Sequence, residues 1–198
     1  VGGLGRFGFG QGLSQAFDLG PYLMGVGQQA GGAVVPEEGA AKGGEAERLM
    51  QRAGMDTEPV YSADGRFIYF VSDRGGAPQI YKVPSSGGQA ERITFTGNYN
   101  ISPSLSPDGR WLAYISRVGG AFKLHVMELA SGTANAITDT SADESPSFAP
   151  NSRLMVYATQ QQGREALMTT TLDGKIKARL AGQGGDIREP DWGPFQKQ

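Results

Sequence analysis

A repeat of about 44 residues is the feature that most restricts how this chain can fold. Four prolines mark the repeat, at spacings of 44, 43 and 44 residues, and they are Pro59, Pro103, Pro146 and Pro190. Each proline follows a glutamate or a serine, and a large apolar residue lies two positions after it. Because several landmarks agree on one period, the chain is interpreted as consecutive copies of one supersecondary unit.

A turn and an apolar run follow the first three of these prolines. The turns read SADGR, SPDGR and APNSR, and the runs after them read FIYFVSD, WLAYISR and LMVYATQ. Asp-Gly favours a hairpin turn because both residues tolerate positive φ at low cost. The runs are apolar at successive positions, as expected for strands that are covered on both faces by neighbouring sheets.

Each unit accommodates four short strands. The first is the proline-led segment and the second is the apolar run; the third reads QIYKVP, FKLHVMEL or EALMTTTL, and the fourth RITF, NAIT or KARL. Paired glycines in SDRGGAPQ and SRVGGAFK favour a turn between the second and third strands. Four antiparallel strands in each repeat predict an all-β fold, a β-propeller built of four-stranded blades. A helical repeat is excluded because no unit has a capped stripe with a 3.6-residue period.

The predicted propeller is incomplete. Three units are whole, at roughly 57–100, 101–143 and 144–187, and a fourth strand of an earlier unit is expected near 45–50. EPDWGPF supplies the first strand of a further unit, and a ring of this kind typically needs about 4–8 blades to close. Residues 43–198 are therefore interpreted as a partial β-propeller. Residues 1–42 are glycine-rich, break the repeat and are left unassigned, with Gln15 standing where the period predicts a proline.

Composition excludes several classes of partner and site. The 198 residues carry 18 basic and 20 acidic side chains, a net charge of −2, which argues against a nucleic-acid partner held by phosphate contacts. The absence of cysteine excludes disulfides, zinc-thiolate sites and cysteine nucleophiles. No apolar run approaches the ~18 residues needed to span a bilayer, and no signal peptide is recognisable at the N-terminus. The chain is therefore not expected to be embedded in a membrane.

Three motifs that could indicate catalysis lack the context that each chemistry requires. GLGRFG at 3–8 matches the dinucleotide fingerprint without a preceding strand or a following helix, and GLSQA at 12–16 lacks the second glycine of a nucleophile elbow. His125 is the only histidine, and it falls on a predicted third strand, away from the ring centre. A Ser-His-acid triad and a histidine metal site are both disfavoured. We expect no catalytic, metal or cofactor site and no enzymatic activity.

The polar loops that lead into each first strand contain the candidate functional residues. The first strand of a propeller blade lines the central channel, so these loops meet at one mouth of that channel. Their carboxylates and hydroxyls could strap neighbouring blades together or could face a partner, and the sequence leaves both open. A catalytic carboxylate pair is disfavoured because adjacent residues in an extended strand point to opposite sides. The predicted partner-binding residues, called the rim below, are Thr57, Glu58, Asn100, Ser102, Glu144, Ser145, Arg188 and Glu189.

Four phrases of the sequence resemble the C-terminal half of the TolB family, the periplasmic component of the Tol-Pal system. They are TEPVYSADGRFIYFVSDRGGAPQIYKV, GGQAERITFTGNYNISPSLSPDGRWLAYISR, DESPSFAPNSRLMVYATQ and DGKIKARL…GDIREPDWGPF. The resemblance covers about residues 43–195, and the family's repeats are of the WD40-like PD40 class. It implies an N-terminal α/β domain followed by a six-bladed propeller, located in the periplasm and without enzymatic activity.

The same resemblance implies partners. It implies binding of the peptidoglycan-associated lipoprotein Pal at the channel mouth, with a role in outer-membrane integrity and in envelope constriction during cell division. Bacteriocin translocation segments would use the same site for import, and other Tol components would bind through the N-terminal domain. Thr57 in DTEP matches a family position implicated in Pal binding. The histidine-bearing loop that the family also uses has no counterpart here.

A second function is consistent with the same repeat. Prolyl-oligopeptidase-like serine peptidases carry a propeller that gates a hydrolase domain. In that case the flanking gene sequence should encode G-x-S-x-G and a late histidine. A signal peptide and a small α/β domain upstream would instead favour the TolB interpretation.

Overall fold

The computed structural model describes residues 49–50, 54–180 and 187–193. The glycine-rich segment 1–42 lies outside the described residues, and so does most of the strand expected near 45–50. Leu49 and Met50, the described part of that segment, are not in a strand, and they pack against the apolar core of the first sheet. The described residues contain no helix long and apolar enough to cross a membrane.

The described chain forms three four-stranded sheets. Within each sheet the strands follow one another in sequence order, and neighbouring strands are antiparallel. This confirms the predicted blades, and the three sheets do not close into a ring. The strands are β1 (Asp56–Tyr61), β2 (Phe67–Ser72), β3 (Gln79–Pro84) and β4 (Glu91–Arg92) in the first sheet; β5 (Asn100–Leu105), β6 (Trp111–Val118), β7 (Ala121–Glu128) and β8 (Ala134–Ala136) in the second; and β9 (Glu144–Phe148), β10 (Leu154–Gln161), β11 (Arg164–Thr171) and β12 (Lys177–Arg179) in the third.

The predicted strands RITF and EPDWGPF differ most from the structure. The fourth strand of the first sheet was predicted as RITF, but only Glu91–Arg92 pairs with β3. The hydroxyl and the amide of Thr94 instead bond to Ile80, which turns the chain towards the next sheet. The tail was predicted to begin another blade, and 187–193 contains no strand because the described chain offers it no second strand to pair with.

The apolar cores lie between consecutive sheets. Along β6, Leu112 and Tyr114 pack towards the first sheet, whereas Ala113 and Ile115 pack towards the third. Since successive side chains of a strand point to opposite faces, a strand buried on both faces must be apolar at successive positions. The prediction of sheets sandwiched between neighbouring sheets is confirmed.

The turns between β1 and β2 and between β5 and β6 share one set of hydrogen bonds. In the first, the Ser62 hydroxyl donates to Asp64 Oδ1 at 2.6 Å, and the same carboxylate oxygen accepts from the Arg66 amide at 3.1 Å. These bonds, the one from Ser62 foremost, lower the pKa of Asp64 to about 2. Gly65 supplies the left-handed residue, with φ of 69°. The predicted Asp-Gly turn is confirmed.

Candidate partner-binding rim

The residue before each repeat proline has the same unusual backbone conformation. Glu58, Ser102, Ser145 and Glu189 have φ of 52°, 53°, 50° and 49°. The left-handed region is sparsely populated by residues other than glycine and costs roughly 1–3 kcal/mol. Because the same conformation recurs at four equivalent positions, it is a property of the repeat and not of one loop.

This residue lies in a β-bulge at the start of each innermost strand. The pairing register shifts between Thr57 and Val60 in β1, between Ile101 and Ser104 in β5, and at the corresponding place in β9. A bulge leaves its extra residue unpaired in the ladder. The left-handed residue of each sheet is therefore turned out of its own ladder.

One hydrogen bond reveals where the left-handed amide points. The Ser102 amide donates to Oε2 of Glu58 at 2.5 Å, between residues that are 44 positions apart. The second and third sheets meet at the other end of their innermost strands, where the Asp108 amide donates to the Ser152 hydroxyl at 3.1 Å. The innermost strands β1, β5 and β9 consequently lie side by side in register, and their leading loops form one row.

Glu58 links the first sheet to the second through its hydrogen bond with the Ser102 amide, and this contact is called the strap below. Burial by the surrounding protein raises the pKa of the Glu58 carboxyl from 4.5, and the bonds to Ser102 lower it in part. The glutamate side chain nevertheless keeps contact with solvent. Of the two roles left open by the sequence, the strap is the one observed for this residue.

Asn100, also a predicted rim residue, is completely buried. Its amide nitrogen donates to Gln79 Oε1 at 2.8 Å and to the Thr96 carbonyl at 2.9 Å. Its side chain therefore fixes the leading loop of the second sheet from inside. A direct contact with a partner would require this side chain to leave its pocket.

Asp143 occupies the position of Asn100 in the third sheet and is 3% exposed. Its carboxylate accepts hydrogen bonds from the Leu124 amide and from three hydroxyls, which belong to Thr138, Thr140 and Thr159. A buried carboxylate is stable only when its oxygens are satisfied in this way. Asp143 is thus a clamp that joins β7, β10 and the loop before β9.

Asp56 has the equivalent position in the first sheet, where Arg74 is its partner. The guanidinium lies 3.0 Å from the carboxylate and 4.9 Å from the ring centres of both Phe70 and Tyr81. Both members of the ion pair are largely buried. The predicted rim omitted Asp56 and Asp143, although an acid or amide recurs at this offset in all three units.

The remaining rim residues lie at the solvent side of the row. Thr57 and Glu144 are partly buried and pair with Val71 and Ala158 respectively. Ser145 is also partly buried, and Arg188 and Glu189 are exposed.

The tail is held against the third sheet by side chains. The Ile187 amide and the Arg188 guanidinium both contact the carboxylate of Glu165, the latter at 3.4 Å. Further along, the Ser147 hydroxyl donates to Asp191 at 2.5 Å and accepts from the Trp192 amide at 3.2 Å. The tail therefore lies beside β9, where the first strand of the next blade would be.

The chemistry offered by the rim is hydrogen bonding and charge. The described residues contain no group of three or more His, Cys, Asp or Glu side chains that could hold a metal ion. His125 lies on β7 and stacks on Tyr114 with ring centres 5.4 Å apart, and burial lowers its pKa. No nucleophile with an adjacent base is found among the residues of the described rim.

The family model of the TolB beta propeller domain matches residues 39–196. The chain belongs to the TolB β-propeller family. A Tol-Pal system protein TolB from Bordetella pertussis is 53% identical over 158 residues, which are 80% of this chain and 36% of the relative. TolB from Polaromonas sp. strain JS666 is 92% identical over 59 residues, 30% of this chain and 14% of the relative.

A solved structure supports the same assignment. TolB from Acinetobacter baumannii superposes with a TM-score of 0.71 at 39% identity, over 76% of this chain and 38% of that protein. The chain thus spans little more than a third of the length of these TolB relatives. An acylaminoacyl peptidase from Pyrococcus horikoshii also superposes, with a TM-score of 0.51 at 12% identity, a likeness that concerns the fold alone.

Proposed function

We propose that this chain acts in the periplasm as a non-catalytic binding module of the Tol-Pal system, and that its rim binds the lipoprotein Pal. Membership of the TolB family supports the system. The observation that carries the site is the row of left-handed residues, because strained backbone that is repeated at a channel mouth is typical of recognition surfaces.

The accessible part of the row is the proposed contact surface. It comprises the exposed or partly buried residues Thr57, Glu58, Ser102, Glu144, Ser145, Arg188 and Glu189, whereas Asn100 is buried and holds its loop in shape behind them. Ser102 contributes its amide to the strap. A rigid row of mixed donors and acceptors suits a folded protein partner, since pre-organised loops lose little entropy on binding.

The proposed biological role follows from that partner. Binding of Pal would connect this protein to the peptidoglycan-associated layer and would support outer-membrane integrity and envelope constriction during division. Bacteriocin segments that enter through the Tol system would compete for the same row. Other Tol components would bind the N-terminal domain of the full-length relatives.

Calorimetry with the periplasmic domain of Pal tests the proposal. We expect the 198-residue chain to bind, and Arg188→Ala to weaken binding by about fivefold or more, which is about 1 kcal/mol for a contact within an interface. Arg153→Ala is the matched control, because Arg153 is also exposed but lies in the turn at the opposite end of the innermost strands. Absence of binding, or equal effects of the two variants, would exclude the rim as the Pal site.

The propeller of a prolyl-oligopeptidase-like peptidase is the second candidate. Only a likeness of fold at 12% identity favours it, whereas the TolB relatives match at 39–92%. A genomic sequence with G-x-S-x-G downstream and no Tol genes nearby would reverse this preference.

A further inference from the structure

The repeat places the same backbone donor at the rim in successive sheets. In the second sheet this donor, the Ser102 amide, is occupied by the carboxylate of Glu58 from the first sheet, at 2.5 Å. The bulge has turned the amide out of its own ladder and towards the neighbouring innermost strand. The strap therefore shows what kind of group this position binds and from which direction.

Ser145 is the equivalent residue one sheet further on. Its φ of 50° matches the 53° of Ser102, and β9 has the same register shift on either side of it. In the ladder of the third sheet Glu144 pairs with Ala158 and Ser147 with Val156, so that Ser145 lies in the bulge between them and has no pairing partner on β10. In the repeat, the residue that corresponds to Glu58 is Ser102, whose hydroxymethyl group is too short to reach the Ser145 amide.

We infer that the Ser145 amide is a binding position for a carboxylate of an acidic side chain on the partner of the rim. The partner's carboxylate would occupy this amide as Glu58 occupies that of Ser102. The inference rests on the proposed function, because it names the chemistry that the rim partner must bring to this position. Charge-assisted hydrogen bonds of this type are shorter and stronger than neutral ones.

Charged side chains near the Ser145 amide affect how readily a carboxylate can bind there. Glu144 directly precedes Ser145, and Glu189 is the next left-handed residue of the row. The negative charges of these two glutamates repel a further carboxylate. The guanidinium of Arg188 is in the same row, but it lies 3.4 Å from the carboxylate of Glu165 and already has that acidic partner. Binding must therefore come from the geometry of the amide more than from the net charge of the rim.

A variant of the preceding sheet can fill the position from inside. Ser102→Glu places a glutamate where Glu58 stands one sheet earlier, and Glu58 and Glu189 demonstrate that glutamate adopts this left-handed conformation. Ser102→Asp is the matched control, with the same charge at the same residue and one methylene less. Only the longer side chain should reach the Ser145 amide.

The direct test is a titration of the ¹⁵N-labelled chain with sodium acetate, monitored by amide chemical shifts against sodium chloride at equal ionic strength. We expect a saturable shift of the Ser145 amide in the wild-type chain and in Ser102→Asp, and none at the occupied Ser102 amide of the wild type. In Ser102→Glu the Ser145 amide should be shifted before acetate is added and should not respond. Absence of an acetate-specific shift in the wild type, or an unchanged response in Ser102→Glu, would overturn the inference.

Affinity for the periplasmic domain of Pal separates this inference from the proposed function. Ser102→Glu should weaken binding about tenfold, as expected for one charged hydrogen bond, and Ser102→Asp less than about threefold. If the two variants lose the same amount of affinity for Pal, or if neither loses any, the inference is overturned while Pal binding stands. If Pal does not bind but acetate shifts Ser145, the proposed function fails and the carboxylate position stands.

Discussion

The hydroxyl of Thr159 donates to Oδ1 of Asp143 at 2.7 Å, so that the second strand of the third sheet is bonded to the loop that precedes its first strand. Asp143 is buried, and two further threonine hydroxyls and a backbone amide complete its shell. Ser116 and Asn100 occupy the equivalent positions in the second sheet. A clamp of related chemistry thus holds each leading loop.

Replacing Asp143 should destabilise the fold strongly. Asp143→Ala leaves three buried donors and one partly buried donor without their acceptor, and we expect the free energy of unfolding to fall by about 3 kcal/mol or more. Asp143→Asn keeps the volume but loses an acceptor oxygen, so we expect a smaller loss of about 1–3 kcal/mol. Urea denaturation of the chain measures both. Asp173→Ala, in an exposed turn, is the control, and an equal loss in that variant would contradict the assigned role of Asp143.

The period of the sequence was sufficient to predict the blades. A strand that packs between two sheets must be apolar on both faces, and FIYFVSD and WLAYISR carry that pattern directly. The row of leading loops could also be predicted, because equivalent positions of a propeller repeat meet at one mouth.

The roles of individual rim residues could not be predicted from the sequence in the same way. Spacing identifies Asp56, Asn100 and Asp143 as equivalent, but it does not reveal that these side chains turn inwards while their neighbours face solvent. The left-handed conformation before each proline was equally hidden, because a residue before proline is normally extended. Only the packed sheets impose it.

Two turn glycines should differ in what an alanine costs. Gly65 and Gly174 have φ of 69° and 68°, so alanine is strained at both, by roughly 1–2 kcal/mol. A Cβ at Gly65 would meet no atom within 4 Å, whereas at Gly174 it would lie 2.3 Å from the carbonyl oxygen of Ile137. We therefore expect Gly174→Ala to lower the free energy of unfolding more than Gly65→Ala. Urea denaturation of the two variants measures both losses, and equal losses would mean that the turn does not pack on Ile137, the residue after β8, as observed.

Removing the strap between the first two sheets should have a measurable cost. Glu58→Ala leaves the Ser102 amide without its acceptor, and we expect a loss of about 1 kcal/mol, given that the side chain is in contact with solvent. Glu58→Gln keeps an acceptor and should retain part of this. Glu189→Ala, at the equivalent exposed position of the tail, is the control and should leave the free energy of unfolding within about 0.5 kcal/mol. A larger effect at Glu189 than at Glu58 would rule out the strap as the stabilising contact.

Two buried tyrosines should make the fold sensitive to alkali. Burial raises the pKa of Tyr114 and of Tyr157 to about 12, and the carboxylates of Asp143 and Asp139 add to the effect at Tyr157. An unfolded tyrosine titrates near ~10, so above that pH the unfolded chain loses phenolic protons that the folded chain retains. The stabilisation is therefore complete below pH ~10 and is lost as the pH rises towards about 12, by up to about 2–3 kcal/mol for each tyrosine. Urea denaturation between these pH values should show a steeper decline for the wild-type chain than for the Tyr114→Phe/Tyr157→Phe variant, and parallel declines would mean that both phenols titrate normally in the folded state.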